Sequence, residues 1–138
     1  HLRLALLYLD LDGFKRINDR HGHDLGDQLL REAGERIRGC VRQSDMVARL
    51  GGDEFVVLLY GIAHPDHAMA VAEAIRNELQ KPFSLEGQAV HVSASIGIAL
   101  HPEDGEEKKP LLRHADNAMY AAKRKGGNRL AAMRTEVS

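Results

Sequence analysis

Two pairs of acidic residues stand out because each pair interrupts an otherwise apolar stretch. Asp10 and Asp12 end the run that begins at Leu4, and Asp53 and Glu54 follow two glycines. Gathered carboxylates lose solvation free energy, and a bound divalent cation commonly compensates for that loss. Two magnesium ions between the pairs could neutralise a triphosphate and activate a hydroxyl group for in-line attack. Solvated turn residues are the other interpretation of this spacing.

Apolar spacing predicts the elements that carry the first acidic pair. Leu4 to Leu11 is almost entirely apolar, which is typical of a strand covered on both faces. A short helix is predicted over Phe14 to Asp19, and Asp24 is a candidate N-cap for the next helix. One face of that helix should pack on a sheet, because its apolar residues recur at spacings of three and four: Leu30, Ala33, Ile37 and Val41.

The second acidic pair lies at the tip of a predicted hairpin. Its strands are Val47 to Leu50 and Phe55 to Tyr60, and they are joined through Gly51 to Glu54. A helix should begin at Pro65, and a minor strand at Pro82 to Leu85 should come before a turn. The hairpin therefore brings its acids to one end of the sheet.

The last third of the chain predicts a strand, a helix and a short return strand. His91 to Leu100 alternates, and its small residues would let a helix approach closely. The helix should end at Gly126 and Gly127, and Leu130 to Met133 should form the last strand. The element order predicts an α/β fold with a single mixed central sheet flanked by helices, as one domain over residues 1–138.

Composition limits the function classes. The chain has 138 residues, of which 43% are hydrophobic and 28% charged, and no apolar run approaches the roughly 20 residues that span a bilayer. We expect a cytoplasmic domain, with any membrane anchor of a longer protein outside this chain. The formal net charge of −1 argues against broad binding of DNA or RNA. The lone Cys40 excludes an internal disulfide and is expected to be buried on a helix. Five scattered histidines are expected at the surface: His64, His67, His91, His101 and His114.

Several blocks of the chain resemble the GGDEF family of diguanylate cyclases. Gly51-Gly52-Asp53-Glu54-Phe55 is the complete signature of that family, and the other blocks follow in the family's order. The resemblance implies a sheet like the palm of nucleotide cyclases and polymerases. It also implies synthesis of cyclic di-GMP from two GTP molecules. The further blocks are Asp10 to Asp19, His21 to Asp27, Ser95 to Ala99 and Ala115 to Lys123.

The resemblance implies a role for each acid. Asp10, the backbone carbonyl of Leu11 and Asp53 would bind two magnesium ions per active site, with manganese as an alternative. Asp53 would also be the base for the attacking 3′-hydroxyl, and Glu54 would support the metal site. The glycines of the signature, Gly51 and Gly52, would let phosphate approach the hairpin backbone.

The resemblance also implies which residues bind the substrate. Asn18 and Asp27 would bind the guanine edge, where adenine lacks the matching donors. Lys123 would bind phosphate. The family usually has an arginine or lysine four residues after that lysine, and this chain has Gly127. Neighbouring cations could compensate: Lys15, Arg124 or Lys125.

Arg42 and Asp45 match the family's product-inhibition motif, at the expected distance before Gly51. Arginine can grip guanine in a fork, and the aspartate can accept from its N1–H edge. A solvated helix end is the other interpretation of this spacing. Relatives often add an arginine from the next helix. Arg76 is a candidate for that arginine, although Ala74 could be the aligned position.

The implied reaction needs two domains, because each holds one GTP and the product is two-fold symmetric. We therefore expect a homodimer during catalysis. We also expect sensory or output domains on a longer chain, since the helix and Asp-x-Leu-Thr turn that usually precede the family's first strand are absent from this sequence. The alternative is a catalytically weak or inactive module that binds GTP or cyclic di-GMP and regulates an attached domain.

Overall fold

The structure is a computed structural model that describes residues 3–132. Predicted and observed elements agree closely in order and type. The elements in chain order are β1 (Arg3–Asp12), α1 (Phe14–His21), α2 (His23–Gly39), β2 (Met46–Gly51), β3 (Glu54–Ile62), α3 (Pro65–Gln80), β4 (Phe83–Leu85), β5 (Gln88–Val90), β6 (Ser93–His101), α4 (Lys108–Arg124) and β7 (Arg129–Ala131).

Five strands form one mixed sheet in the order β2-β3-β1-β6-β7. The central strand β1 pairs antiparallel with both β3 and β6, and β6 pairs parallel with β7. β4 and β5 form a separate two-stranded ribbon. The predicted mixed sheet flanked by helices is confirmed, and both predicted hairpin strands are neighbours in it.

The larger core lies on one face of the sheet, beneath α2 and α3. Leu7, Leu9 and Leu11 alternate along β1 towards this face and are at most 1% exposed. The intervening Leu6 and Tyr8 point to the opposite face, where α4 packs. Because both faces of β1 are covered, its apolar run is nearly continuous, and the rigid strand ends at the two acids.

Helix α4 approaches the second face at Gly97 of β6. A Cβ atom built on Gly97 would lie 2.0 Å from the backbone oxygen of Ala115, so only glycine permits this contact. The predicted close approach of a helix to the small residues of this strand is confirmed. This contact holds the middle of α4 against β6, and Lys123 in the last turn of α4 lies beside the end of β1.

The half of this second face formed by β2 and β3 stays apolar and accessible. Met46 and Leu50 are 41% and 51% exposed. With neighbouring residues of β1 and α4 they line a cleft of about 560 Å³. No helix among residues 3–132 has the length and apolar character needed to cross a membrane.

Several local predictions were wrong. Asp24 is not an N-cap, because α2 begins at His23 after Gly22, whose φ of 94° reverses the chain without a side-chain hydrogen bond. The strand β5 was not predicted, since its three residues carry little apolar signal. The last strand is Arg129–Ala131, and the predicted end at Met133 lies outside the described residues.

The histidine prediction was right for three residues and wrong for two. His101 and His114 are half-buried, and His114 lies 3.5 Å from the buried carboxylate of Asp104. His64 is exposed and caps α3 by accepting a hydrogen bond from the backbone N–H of Asp66. Cys40 is half-buried at the end of α2 and packs against the larger core.

Candidate active site

The two predicted acidic pairs meet where β1 ends beside the hairpin tip. Asp10 is the register partner of Glu54, and the backbone N–H of Leu11 donates to the carbonyl of Asp53 at 3.2 Å. The ladder between β1 and β3 thus brings residues 42 and 44 positions apart to one end of the sheet. We call Asp10, Leu11, Asp53 and Glu54 the acidic edge.

Asp10 is the least stabilised carboxylate of the acidic edge. Its Oδ1 atom is buried without a hydrogen-bond partner among residues 3–132, and its Oδ2 atom lies 3.4 Å from Lys123 Nζ. Burial, followed by the adjacent Asp53 carboxyl, raises the pKa of Asp10 to about 7, and Lys123 opposes this rise only in part. A buried carboxylate oxygen without a donor is suited to a cation.

The donor set fits a hard divalent cation that retains ligands from elsewhere. Carboxylate and carbonyl oxygens are the ligands that magnesium prefers. No three acidic, histidine or cysteine side chains within residues 3–132 converge into a ready cation cage. Asp10, Asp53 and the Leu11 carbonyl would hold magnesium only in part, and substrate phosphates would complete the coordination.

Glu54 and the two signature glycines occupy different surroundings. Glu54 accepts a hydrogen bond from the Tyr8 hydroxyl at 2.9 Å. Burial and this carboxylate raise the pKa of Tyr8. Gly51 and Gly52 are exposed, and nothing lies within 4 Å of a Cβ atom built on either. The hairpin tip therefore leaves open space beside the acidic edge.

Asp12 points to the same side of β1 as Asp10 but is fully hydrogen-bonded. Its Oδ1 accepts from Ser95 Oγ at 2.8 Å and from Lys123 Nζ at 3.0 Å. Its Oδ2 accepts from Ser93 Oγ at 2.7 Å and from the Asn128 N–H at 2.8 Å. Burial disfavours the charge, but these four donors together hold the pKa of Asp12 below its usual range.

Lys123 joins the two aspartates of β1. Its ammonium group lies 3.0 Å from Asp12 and 3.4 Å from Asp10. Burial lowers the pKa of Lys123, but the two carboxylates, Asp12 first, raise it by a larger amount, so the net shift is upward. The predicted phosphate-binding lysine therefore lies at the acidic edge and is charged there.

Gly127 lies directly under the Asp12 carboxylate. Its φ is +74°, and a Cβ atom built there would lie 2.8 Å from Asp12 Oδ2. A larger residue at this position would have to displace the carboxylate. At the position where the family usually has an arginine or lysine, this chain therefore has a glycine whose backbone lies close to Asp12.

Of the predicted guanine-binding residues, Asn18 lies on α1 and Asp27 lies in the N-terminal part of α2. Asn18 is hydrogen-bonded to His23 at 2.9 Å and packs against Gly26, the residue before Asp27. Asp27 is exposed at a cleft of about 470 Å³ between α2 and the hairpin. The cleft combines the Phe55 ring and Leu30 with polar and charged side chains, among them the Asp27 carboxylate, and this combination suits a flat base with hydrogen-bonding edges. The other lining residues are Arg31, Gly34 and Arg49.

Arg42 and Asp45 lie at the opposite end of the hairpin. Asp45 is 4% exposed and accepts hydrogen bonds from the backbone N–H groups of Arg42 and Tyr60 at 3.0 and 3.1 Å. The Arg42 guanidinium lies 3.3 Å from Asp45 and also donates to the Tyr60 carbonyl. Burial disfavours the charge, but Arg42 and the two N–H groups hold the pKa of Asp45 below its usual range.

The side chain of Arg76 lies elsewhere. It donates to Asn128 Oδ1 at 2.9 Å and to Glu73, so it links α3 to the turn after α4. Ala74 is exposed and lines a separate cleft with Cys40. The structure does not bring the Arg76 guanidinium to Arg42, since these bonds occupy it at the other end of the sheet.

A family model described as the GGDEF domain of diguanylate cyclases matches residues 1–129. The chain belongs to the GGDEF family. This GGDEF domain is 50% identical over 126 residues to MucR of Pseudomonas aeruginosa, a bifunctional diguanylate cyclase and cyclic di-GMP phosphodiesterase. It is also 50% identical over 132 residues to the diguanylate cyclase TpbB of the same organism. The two matches cover 91% and 94% of this chain but only 18% and 30% of those relatives.

Solved structures support the same fold. The crystal structure of the GGDEF domain of TpbB, also called YfiN, matches with a TM-score of 0.92 and 47% identity, over 94% of this chain and 81% of that one. The GGDEF domain of DgcB from Caulobacter crescentus, in complex with c-di-GMP, matches with a TM-score of 0.87 and 30% identity, over 95% and 78% of the two chains.

Proposed function

We propose that this GGDEF domain is an active diguanylate cyclase, which condenses two GTP molecules into cyclic di-GMP and releases pyrophosphate. The observation that carries the proposal is the unsatisfied, buried carboxylate oxygen of Asp10 beside Asp53, at a hairpin tip with open space. A merely structural turn would have satisfied that oxygen, as the chain does for Asp12.

The metal site is proposed at the acidic edge. Asp10, Asp53 and the Leu11 carbonyl would hold magnesium, which supplies charge neutralisation for the triphosphate and lowers the pKa of the attacking hydroxyl when bound. Glu54 supports the edge through its position opposite Asp10 and its hydrogen bond from Tyr8. Lys123 adds a protein cation next to the place where the phosphates would lie.

The chemical step is a nucleotidyl transfer. Asp53 accepts the proton of the 3′-hydroxyl of one GTP, and the 3′-oxygen bonds to the α-phosphorus of the other GTP. The bond from that phosphorus to the bridging oxygen breaks, and pyrophosphate leaves. Gly51 and Gly52 expose the backbone at which the phosphates are received. A second, symmetric transfer closes the ring.

Guanine selectivity is assigned to Asp27 and Asn18. Asp27 lies at the rim of the cleft above Phe55 and can accept from the N1–H and 2-amino groups. Asn18 lies beside the first turn of α2, where its amide is held next to Gly26. Adenine would leave the Asp27 carboxylate unpaired, which costs binding free energy.

Two copies of the domain must face each other for this reaction, since one cleft receives one guanine. A homodimer in which each partner presents one GTP accounts for a two-fold symmetric product. In a longer protein, neighbouring sensory or output domains would set how often the two copies meet.

Product inhibition is proposed at Arg42. In the present arrangement Asp45 is saturated by hydrogen bonds, so it orients Arg42, while the half-exposed guanidinium is available to guanine. Cyclic di-GMP would bind here and stabilise a nonproductive arrangement of two domains, which requires a higher affinity for that arrangement. Asp45 would contribute directly only after releasing a donor.

The alternative is an inactive module that binds GTP or cyclic di-GMP and regulates an attached domain. The substitution of Gly127 for the usual cation favours it, because one phosphate partner is lost. MucR, whose name includes both a cyclase and a phosphodiesterase, shows the kind of protein in which such a module would act.

The product of a reaction with GTP and magnesium separates the two functions. We expect cyclic di-GMP and pyrophosphate by mass spectrometry, with a specific activity that increases with protein concentration. The Asp53→Ala variant is the matched negative control. Bound but unconverted GTP at all protein concentrations would favour the regulatory module, and turnover per molecule that does not depend on concentration would contradict the dimer.

A further inference from the structure

Asp12 lies within the site, yet no proposed step uses it. A carboxylate has about four lone-pair positions, and four donors already occupy them. The same atoms could reach a metal ion only by giving up these bonds. Asp12 is therefore poorly placed to be a metal ligand, although it is only two residues from Asp10.

The donors to Asp12 come from three separate parts of the fold. The two serines belong to β6, Lys123 belongs to the last turn of α4, and Asn128 belongs to the turn that follows. Asn128 in turn accepts from Arg76 of α3. One carboxylate at the end of β1 thus fixes where α4 ends relative to the sheet.

We propose that Asp12 is a positioning residue that holds the Lys123 ammonium and the 126–128 turn in place before nucleotide arrives. A free lysine side chain samples many rotamers, and ordering it on binding costs affinity. The bond to Asp12 orders it in advance, with the ammonium also close to Asp10 of the acidic edge, where the phosphates are proposed to bind. This inference rests on the proposed role of Lys123 in binding the phosphates of GTP.

Gly127 contributes to the same arrangement of Asp12, Lys123 and the 126–128 turn. A Cβ atom at this position would lie 2.8 to 3.1 Å from the three atoms of the Asp12 carboxylate group. Glycine therefore lets the Asn128 N–H reach Asp12 Oδ2. The chain lacks a second cation at this position but has a firmly held Lys123.

A double-mutant cycle tests the proposal. Calorimetry would measure the affinity of a GTP analogue with a methylene group between the α and β phosphorus atoms. The proteins are the wild type, Asp12→Asn, Lys123→Ala and the double variant, with Asp66→Asn on the exposed surface of α3 as the control. We expect Asp12→Asn to weaken binding about tenfold in the wild type and less than twofold when Lys123 is absent.

The outcomes separate this inference from the proposed function. An equal loss in both backgrounds would show that Asp12 acts only through general stability and would overturn the proposal. A wild type that does not bind the analogue would instead contradict the proposed function. In kinetic assays Asp12→Asn should increase KM for GTP more than it lowers kcat.

A measurement on the wild type keeps the proposal testable if Asp12→Asn does not fold. Hydrogen-bonded lysine ammonium groups exchange protons slowly and give NMR signals that freely rotating ones lose. We expect such a signal from Lys123 without nucleotide, identified by its loss in Lys123→Arg. A wild-type spectrum without it would show that Lys123 is not held in advance.

Discussion

The carboxylates at the two ends of the β2–β3 hairpin, Asp10 beside its tip and Asp45 at its base, have opposite surroundings. At the acidic edge Asp10 is half-buried beside the Lys123 cation, its buried Oδ1 atom lacks a donor among the described residues, and its pKa is raised. At the other end Asp45 is buried with four hydrogen bonds, and its pKa is lowered. The surroundings therefore disfavour the charged form of an aspartate at one end and favour it at the other.

The difference indicates where the chain reserves binding capacity. A saturated carboxylate contributes to folding and changes little on ligand binding, whereas an unsatisfied one lowers stability until a ligand arrives. Asp12 repeats the saturated pattern only two residues from Asp10. Function is therefore assigned residue by residue, since acidity alone does not distinguish the two kinds of carboxylate.

The largest expected effect is on turnover at the acidic edge. Asp53→Ala removes the proposed base and a metal ligand, and we expect cyclic di-GMP synthesis to fall by about 10²- to 10⁴-fold or more. The fold should survive, because Asp53 lies at a hairpin tip outside the packed core. Rates from product chromatography and circular dichroism of the same samples check both statements, and near-normal turnover would refute the role of Asp53.

The next effect is on folding at the opposite end. Asp45→Ala leaves two backbone N–H groups without their acceptor, and we expect the free energy of unfolding to fall by about 2–3 kcal/mol at pH 7. Urea denaturation measures it.

The sign of the pH dependence follows from the lowered pKa of Asp45. Its stabilisation is present above the usual aspartate pKa of 3.8 and is lost as the pH falls through the lowered folded value. The wild type and Asp45→Ala should therefore converge in strong acid. A constant difference down to that range would show that the charge of Asp45 contributes nothing.

Product binding at Arg42 is expected to change less than turnover at Asp53. Arg42→Ala removes a guanine-binding fork, and affinity for cyclic di-GMP should fall about ten- to a hundredfold. Arg42→Lys is the matched variant, because it keeps the charge and loses the fork. Calorimetry that gives equal affinities for all three proteins would show that Arg42 and Asp45 only end a helix.

The smallest expected effect is a gain in stability. The raised pKa of Asp10 means that its stabilisation is present below the usual value of 3.8 and is lost as the pH rises through about 7. The pKa shift alone would correspond to about 4 kcal/mol, and the Asp10→Asn variant loses the pairing of Asp10 with Lys123, which offsets part of that gain. At pH 8, without divalent metal, Asp10→Asn should therefore be more stable than the wild type by about 1–2 kcal/mol. At pH 4 the two proteins should unfold alike. Equal urea midpoints at pH 8 would contradict this reading of Asp10.

The sequence predicted the acidic edge because its signals are local. A strand that ends in acids and a glycine hairpin that carries acids are both visible as patterns, and their order implies that they meet. The small face at Gly97 was also predictable, since helix packing on glycine follows from the lack of a side chain.

The saturation of Asp12 and Asp45 could not be predicted in the same way. The donors to Asp12 are up to 116 residues away, and no spacing rule connects Ser93, Lys123 and Asn128 to it. Asp45 receives a backbone N–H from Tyr60, 15 residues away across the hairpin. Whether a carboxylate is satisfied depends on tertiary contacts, and these become visible only in the folded chain.

Manganese binding shows whether Asp10, the carboxylate left without a donor at the acidic edge, is a cation ligand. Electron paramagnetic resonance would follow manganese titrated into the protein with the methylene GTP analogue at saturation. We expect at least about a tenfold loss of manganese affinity in Asp10→Asn and unchanged binding in Asp66→Asn, since the side chain of Asp66 is 88% exposed on α3. Unchanged manganese affinity in Asp10→Asn would show that Asp10 is not a cation ligand.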